Sequence, residues 1–297
     1  MHSNSQHKIK SSEPTEKLQK VLARVGLGSR RQIEEWIREG RIRVNQHIAT
    51  IGERINLSDN ILINGRKIRL PAQLPSLKIL CYHKPAGEVC TRNDPEGRTT
   101  IFKQLPRPKE GRWISIGRLD LNTAGLLLLT THGELAHRLM HPSYTIEREY
   151  AVRVLGEVDK ETLKRLREGV QLDDGMAHFK QIISAGGNGA NHWYHVTLTE
   201  GRNHEVKRLW ESQGVVVSRL IRVRFGPIFL PKNLRGGNYV ELDKQAEHNL
   251  LKLVNLNIPQ QNTSIPRQRN NSIPRQRNTS IPQHPIKKRT TSKRRYR

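Results

Sequence analysis

One carboxylate in this 297-residue chain stands where it could attack something. Asp120 closes the run Gly117-Arg118-Leu119-Asp120, followed by Leu121-Asn122-Thr123-Ala124-Gly125 and four leucines, Leu126 to Leu129. Four consecutive leucines read as a strand covered on both faces. Gly125 suits a close backbone approach just before them. Asp120 is therefore expected on a short, stiff connection against apolar walls. An acid held there is costly unless a cation supports it, and a supported one can act as a nucleophile. The competing reading is a turn aspartate whose side chain bonds its own backbone. Two further segments could complete a site. Glu147-Arg148-Glu149-Tyr150 opens a strand, and Glu200-Gly201-Arg202-Asn203-His204-Glu205-Val206-Lys207-Arg208 leads into a helix. Together they offer an acid, an aromatic hydroxyl and a cation. Spacing alone does not bring them together. Tyr150 reads equally as a half-buried strand tyrosine, and Lys207 with Arg208 as one exposed helical face.

Other chemistries find little support. His132, His137 and His141 lie close in sequence, and the last two share a helical spacing. HExxH is absent and Pro142 ends the segment, so they read as surface histidines. Cys81 and Cys90 form no CxxC. No metal is expected. Gly186-Gly187-Asn188-Gly189 reads as a loop without the lysine and serine or threonine of a phosphate-binding loop, so ATP use is not expected. No cofactor is expected at all.

The elements that would position these groups fall into two parts. Lys17 to Val25 has helical spacing, with Leu18, Val21, Leu22 and Val25 on one face. Ser29-Arg30-Arg31-Gln32 is a capping box for a second helix, which carries Ile33, Trp36 and Ile37 inward and stops at Gly40. Short alternating strands follow, with a hairpin about Asn64-Gly65. From Lys78 the pattern predicts strands over 78–84, 112–118, 147–154, 193–199, 215–217, 219–223 and 239–242. Helices are predicted over 134–140, 159–168 and 203–213. Helices and strands do not alternate regularly, so the fold class is α+β, not a doubly wound parallel sheet. The expected division is 1–15 disordered, 16–70 a small helical and stranded unit, 71–77 a proline-containing linker, 78–250 the large domain, and 251–297 a disordered basic tail. In that tail Ser-Ile-Pro recurs every eight residues, at 264, 272 and 280.

The formal net charge is +25. The tail from residue 258 and the first seventy residues do not account for all of it, so the large domain is basic too. Such an excess points to a polyanion, most simply nucleic acid. Lys20, Arg24, Arg30, Arg31, Arg38, Arg41 and Arg43 cluster about the two front helices. Glu34, Glu35 and Glu39 among them fit a merely solvated face as well. The first residues are polar with no apolar core, so no signal peptide is expected, and no apolar run is long enough to span a membrane. Two unpaired cysteines suit a reducing, cytoplasmic setting.

The order of features in residues 16–68 resembles the S-four-type RNA-binding domain. The match lies in Leu18-Gln19-Lys20-Val21-Leu22-Ala23, Ser29-Arg30-Arg31 and Gly40-Arg41-Ile42-Arg43-Val44-Asn45. The run Gly117 to Thr131 with Gly133-Glu134-Leu135, Lys84-Pro85-x-Gly87 and Glu200-Gly201-Arg202-Asn203 resemble the RsuA/RluB group of pseudouridine synthases. That resemblance covers residues 16 to about 245. It implies a mixed, mainly antiparallel sheet with flanking helices, and cofactor-free isomerisation of one uridine in large-subunit rRNA. Asp120 is then the nucleophile, acting at the sugar or the base of a flipped nucleotide. Tyr150 stacks on the uracil and helps remove its C5 proton, Lys207 pairs with the aspartate, and Arg118 fills the gap left in the RNA stack. Arg202 and Arg208 contact phosphates, as do Lys20, Arg24, Arg30, Arg31, Arg41 and Arg43 of the front domain. The expected partner is ribosomal RNA or a pre-ribosomal particle, bound by a monomer and no membrane. Two alternatives stand beside this: the same reaction on small-subunit rRNA or another large-subunit uridine, and a non-catalytic assembly factor that only binds RNA.

Overall fold

In the computed structural model, residues 15–71 and 76–258 are described. The basic repeat, the first fourteen residues and most of the expected linker lie outside them. The chain opens with β1 (Glu16–Lys17), α1 (Leu18–Arg24) and α2 (Arg30–Arg38). The capping box is formed: Gln32 N donates to Ser29 Oγ (3.0 Å), and Ser29 N donates back to the Gln32 side chain. The short strands β2 (Ile42–Val44), β3 (His47–Ile48), β4 (Arg54–Ile55), β5 (Ile61–Ile63) and β6 (Arg66–Ile68) follow. Asn64 and Gly65 both have positive φ, which makes the β5–β6 hairpin turn the mirror-image type suited to twisted strands. Leu18, Leu22, Ile33, Ile37, Ile42 and Ile61 close a small core of their own.

The large part contains β7 (Ile79–Lys84), β8 (Ile114–Ser115), β9 (Thr123–Thr130), α3 (Gly133–Met140), β10 (Arg148–Leu155) and α4 (Lys160–Glu168). It continues with β11 (Val170–Leu172), β12 (Gly175–Ala177), β13 (Gln181–Asn188), β14 (Asn191–Leu198), α5 (Glu205–Glu211), β15 (Val217–Phe225), β16 (Ile228–Phe229), β17 (Tyr239–Glu241) and α6 (Lys244–Leu253). One sheet runs β13-β14-β10-β15-β9-β7-β17, with β8 on β9 and β16 on β15. Only the β9–β15 pairing is parallel. The four leucines explain why the sheet is covered on both faces. Leu127 and Leu129 pack with Leu166, Leu209 and Trp210 of α4 and α5. Leu126 and Leu128 pack with Leu135, Leu139 and Leu250 of α3 and α6. Each contributes roughly 1.5–3 kcal/mol by leaving water.

Several expectations need correction. The expected strands over 215–217 and 219–223 are replaced by the single strand β15, which starts only at Val217 and runs on to Phe225, its middle paired on both sides; Val215 and Val216 lie before it. The expected strand over 112–118 shortens to two residues. Gly186 to Asn188 belong to β13 and not to a loop; the hairpin turns at Gly189 and Ala190. The ordered fold also passes residue 250: α6 ends at Leu253, and Leu250 and Val254, one helical turn apart, are fully buried. His132 is not a free surface histidine. It caps α3, its Nδ1 accepting from Leu135 N (3.2 Å), and burial beside Arg24 and Lys20 lowers its pKa.

Candidate active site

The turn that carries Asp120 is built around a buried ammonium. Lys84, at the end of β7, is fully buried. Its Nζ donates to the carbonyl oxygens of Pro85 (2.9 Å), Asp120 (3.0 Å), Leu121 (3.2 Å) and Thr123 (2.8 Å). An ammonium has three protons, so these four bonds use all of them and leave none for a substrate. Burial lowers the Lys84 pKa, while neighbouring acidic groups, Asp120 among them, oppose the shift. A second tie comes from Cys90, whose thiol lies 3.3 Å from Leu119 O and 3.4 Å from Leu119 N. The backbone on both sides of Asp120 is thus fixed. Its side chain is not sealed in apolar walls: about a third of it is exposed. Thr123 Oγ1 approaches Oδ2 at 3.4 Å, a contact between side chains and not the side-chain-to-backbone bond of an ordinary turn aspartate.

Gly125 lets β15 come close. Its φ is +106°, and a Cβ there would overlap the Arg222 backbone, 2.6 Å from its nitrogen. Arg222 faces Gly125 on one side and Tyr150 on the other in the strand register. Residues directly opposite share a face of the sheet, so Tyr150 and Arg222 stand side by side where Gly125 leaves room. Tyr150 is 9% exposed and Arg222 2%. Arg222 Nε donates to Leu126 O (2.7 Å), and its Nη2 is buried with no partner among the described residues.

The third segment reaches the first through His204. This residue precedes α5 with φ +50°, a left-handed conformation that turns the ring outward. Its Nε2 lies 3.3 Å from Asp120 Oδ1. Arg148, at the start of β10, holds the same segment from below, donating from Nη1 to Ile146 O (2.9 Å), Thr199 O (3.2 Å) and Glu200 O (3.2 Å). Burial lowers the Arg148 pKa, opposed by Tyr150. Glu205 is 3% exposed, accepts from Arg202 N (2.9 Å) and leaves Oε1 unpartnered. Burial raises its pKa to about 7.

The three sequence segments therefore converge, with one substitution of roles. The side chain seen at Asp120 is the imidazole of His204. Lys207 lies one helical turn further along α5, half-buried, and makes no ion pair within 4.0 Å among the described residues. Arg118 is exposed beside the aspartate. Arg202 and Arg208 are already engaged. Arg208 forks onto Asp174 (2.8 and 2.9 Å) and holds that carboxyl down at about 2, while Arg202 binds Glu200 (2.9 Å) and Met176 O (2.8 Å). These contacts fasten the β11–β12 hairpin to α5, which makes structural anchors of two expected phosphate ligands. In the front unit Lys20 and Arg24 both meet Glu16, Arg41 binds Glu39 and Asn64 over the Trp36 ring, and Arg43 binds Gln46 O. Arg30 and Arg31 stay exposed in the first turn of α2. Sequence reasoning passed over His204, although it lies inside a segment already singled out. It also passed over Arg222, whose signal was a charge inside an apolar strand pattern. Among the described residues no group of three or more His, Cys, Asp or Glu could hold a metal, and no helix is long and apolar enough to cross a membrane.

This sheet and turn define an RNA-modifying fold on comparison with known proteins. Residues 78–212 match the RNA pseudouridylate synthase family model, and residues 16–61 match the S4 domain model. The chain is 60% identical to a ribosomal large subunit pseudouridine synthase B of Pseudomonas aeruginosa, over 77% of this chain and 60% of that protein. It is 57% identical to the protein of the same description from Salmonella typhimurium, over 82% of this chain and 84% of the other. A crystal structure of a pseudouridylate synthase superposes with a TM-score of 0.56 at 27% identity, covering 79% of this chain and 99% of that one. The chain belongs to the RNA pseudouridylate synthase family, whose members are isomerases.

Proposed function

We propose that this protein isomerises a uridine of large-subunit ribosomal RNA to pseudouridine, with Asp120 as the nucleophile. The observation that carries this is the caged turn: a fixed backbone presents one accessible carboxylate between Arg118 and His204. The names of the relatives favour the large-subunit target. The C–N glycosidic bond breaks, the uracil turns, and C5 bonds to the sugar while its proton moves to the freed nitrogen. No electrons or atoms are gained or lost overall, so the reaction consumes no co-substrate. A stacked base is out of reach, and extruding it costs roughly a few kcal/mol. Stacking on Tyr150 returns roughly 1–3 kcal/mol, and phosphate contacts supply more. Arg118, exposed two residues before the aspartate, would fill the vacated position in the stack. Lys207 would stand by the carboxylate once the nucleotide displaces His204. The front helices would hold structured RNA, and a cytoplasmic monomer with domains over 16–70 and from 78 suits that task.

Asp120→Asn is the decisive variant. Pseudouridine mapped in rRNA after incubation should disappear while RNA affinity is largely kept. Full activity of the variant would end the nucleophile assignment. Wild-type protein that binds rRNA and leaves no pseudouridine would instead favour a non-catalytic assembly factor.

A further inference from the structure

Three arginines gather where the front unit meets the large domain. Gly26, after α1, packs so closely on the 111–113 loop that a Cβ there would lie 2.7 Å from Gly111 O. This contact brings the first turn of α2 beside Arg112. Arg112 Nε is buried and has no hydrogen-bond partner among the described residues. Burial lowers the Arg112 pKa, and the charges of Arg92 and Arg30 lower it further. Arg92 reaches the same loop by donating to Trp113 O, and its guanidinium lies 4.2 Å from the centre of the Phe102 ring. Arg30 Nη2 lies 3.7 Å from the position a Cβ on Gly133 would take, at the first residue of α3. A guanidinium against the positive end of a helix is repelled unless an anion lies between them. Among the described residues none of the three has a carboxylate within 4.0 Å, while Arg24, Arg38, Arg41, Arg98 and Arg138 all do. Like charges held together without a counter-charge are unfavourable in the free protein, and that cost is removed by a ligand that brings negative charge.

The position of the cluster says which anion. It lies where the front unit packs on the loop before β8. β8 pairs Ile114 with Thr130, so this loop sits at the end of β9 away from Thr123 and the Asp120 turn. An anion that reaches both places is an extended polyanion, the substrate RNA strand. We propose that Arg30, Arg92 and Arg112 form a binding site for backbone phosphate of the substrate RNA, bridging the front unit and the large domain at the end of β9 remote from the Asp120 turn. The site rests on the function proposed above for its ligand. It holds the RNA strand across the domain junction, away from the nucleotide that reacts.

The test uses the full chain and an unmodified large-subunit rRNA transcript, with affinity measured from low to high KCl. The Arg30→Gln/Arg92→Gln/Arg112→Gln triple variant is compared with a control triple, Lys160→Gln/Lys164→Gln/Lys252→Gln, which removes three exposed cations on α4 and α6. The cluster variant should show a log K against log salt slope shallower by about two to three than the control, since each of the three lost phosphate contacts removes about 0.7–0.9. A triple lysine variant should recover most of the slope. The melting temperature should stay near wild type, and turnover at a fixed sub-saturating RNA concentration should fall with the affinity. A folded cluster variant whose slope equals that of the control would overturn the site. Binding is read without turnover, so wild-type protein that makes no pseudouridine would overturn the proposed reaction and leave this result legible.

Discussion

The Asp120 turn and the start of α5 meet at one contact, His204 to Asp120, yet they are held in different ways. The turn is fixed by a buried ammonium with every proton committed and by a glycine that admits a neighbouring strand. The start of α5 is fixed by ionisable groups: a buried glutamate, the Arg148 bonds, and the exposed fork of Arg208 on Asp174. The second arrangement contains a carboxyl, Glu205, whose pKa is raised to about 7. A nucleophile needs a fixed backbone, whereas the segment covering it must yield when a nucleotide arrives.

The largest effect should come from breaking the rigid side. Gly125→Ala places a Cβ inside the Arg222 backbone at a φ that L-residues avoid, so β9 and β15 must separate locally. Urea denaturation should show a loss of at least about 2 kcal/mol. An unchanged midpoint would mean the parallel pairing is loose. Lys84→Met comes next. It leaves carbonyls of the turn unpaired, each costing about 1–3 kcal/mol if it stays dry. Water entering the turn would soften that loss of stability, but the order about Asp120 would go with it. Hydrogen exchange of the amides at 119–123 should therefore accelerate more than that of β10. Equal protection of both segments would show that the ammonium is only a space-filler.

Much of this contrast was legible in the sequence. The leucine run, Gly125 and the stiff connection before them mark the turn, because burial and φ are local properties. The capping box of α2 and the Asn64-Gly65 hairpin were legible for the same reason. The cage was not, since nothing local tells a lysine at a strand end to point inward at carbonyls 36 to 39 residues away. Likewise the arginines after Glu200 look alike in a sequence. Only the β11–β12 hairpin, a long-range feature, separates the fork of Arg208 from the unpaired Arg30. Charge counts show that the protein favours polyanions, but not which cations are free to meet one.

The smallest effect, and the one that sharpens the comparison, concerns Glu205. Its folded pKa of about 7 lies above the ordinary carboxylate value of 4.5, mainly through burial and in part through Glu200. The folded state therefore binds this proton more tightly than the unfolded chain. Stability from the group is fully present below the unfolded pKa and declines as pH rises from about 4.5 to about 7, where the buried carboxyl is forced to ionise. Glu205→Gln keeps an acceptor for Arg202 N and cannot ionise. Its stability should fall less than that of wild type across this window, and its advantage should be constant above it. Paired urea titrations at pH 5, 6, 7 and 8 measure the divergence. Parallel curves would mean that Glu205 is already ionised at pH 5, and that the start of α5 is held as rigidly as the turn it covers.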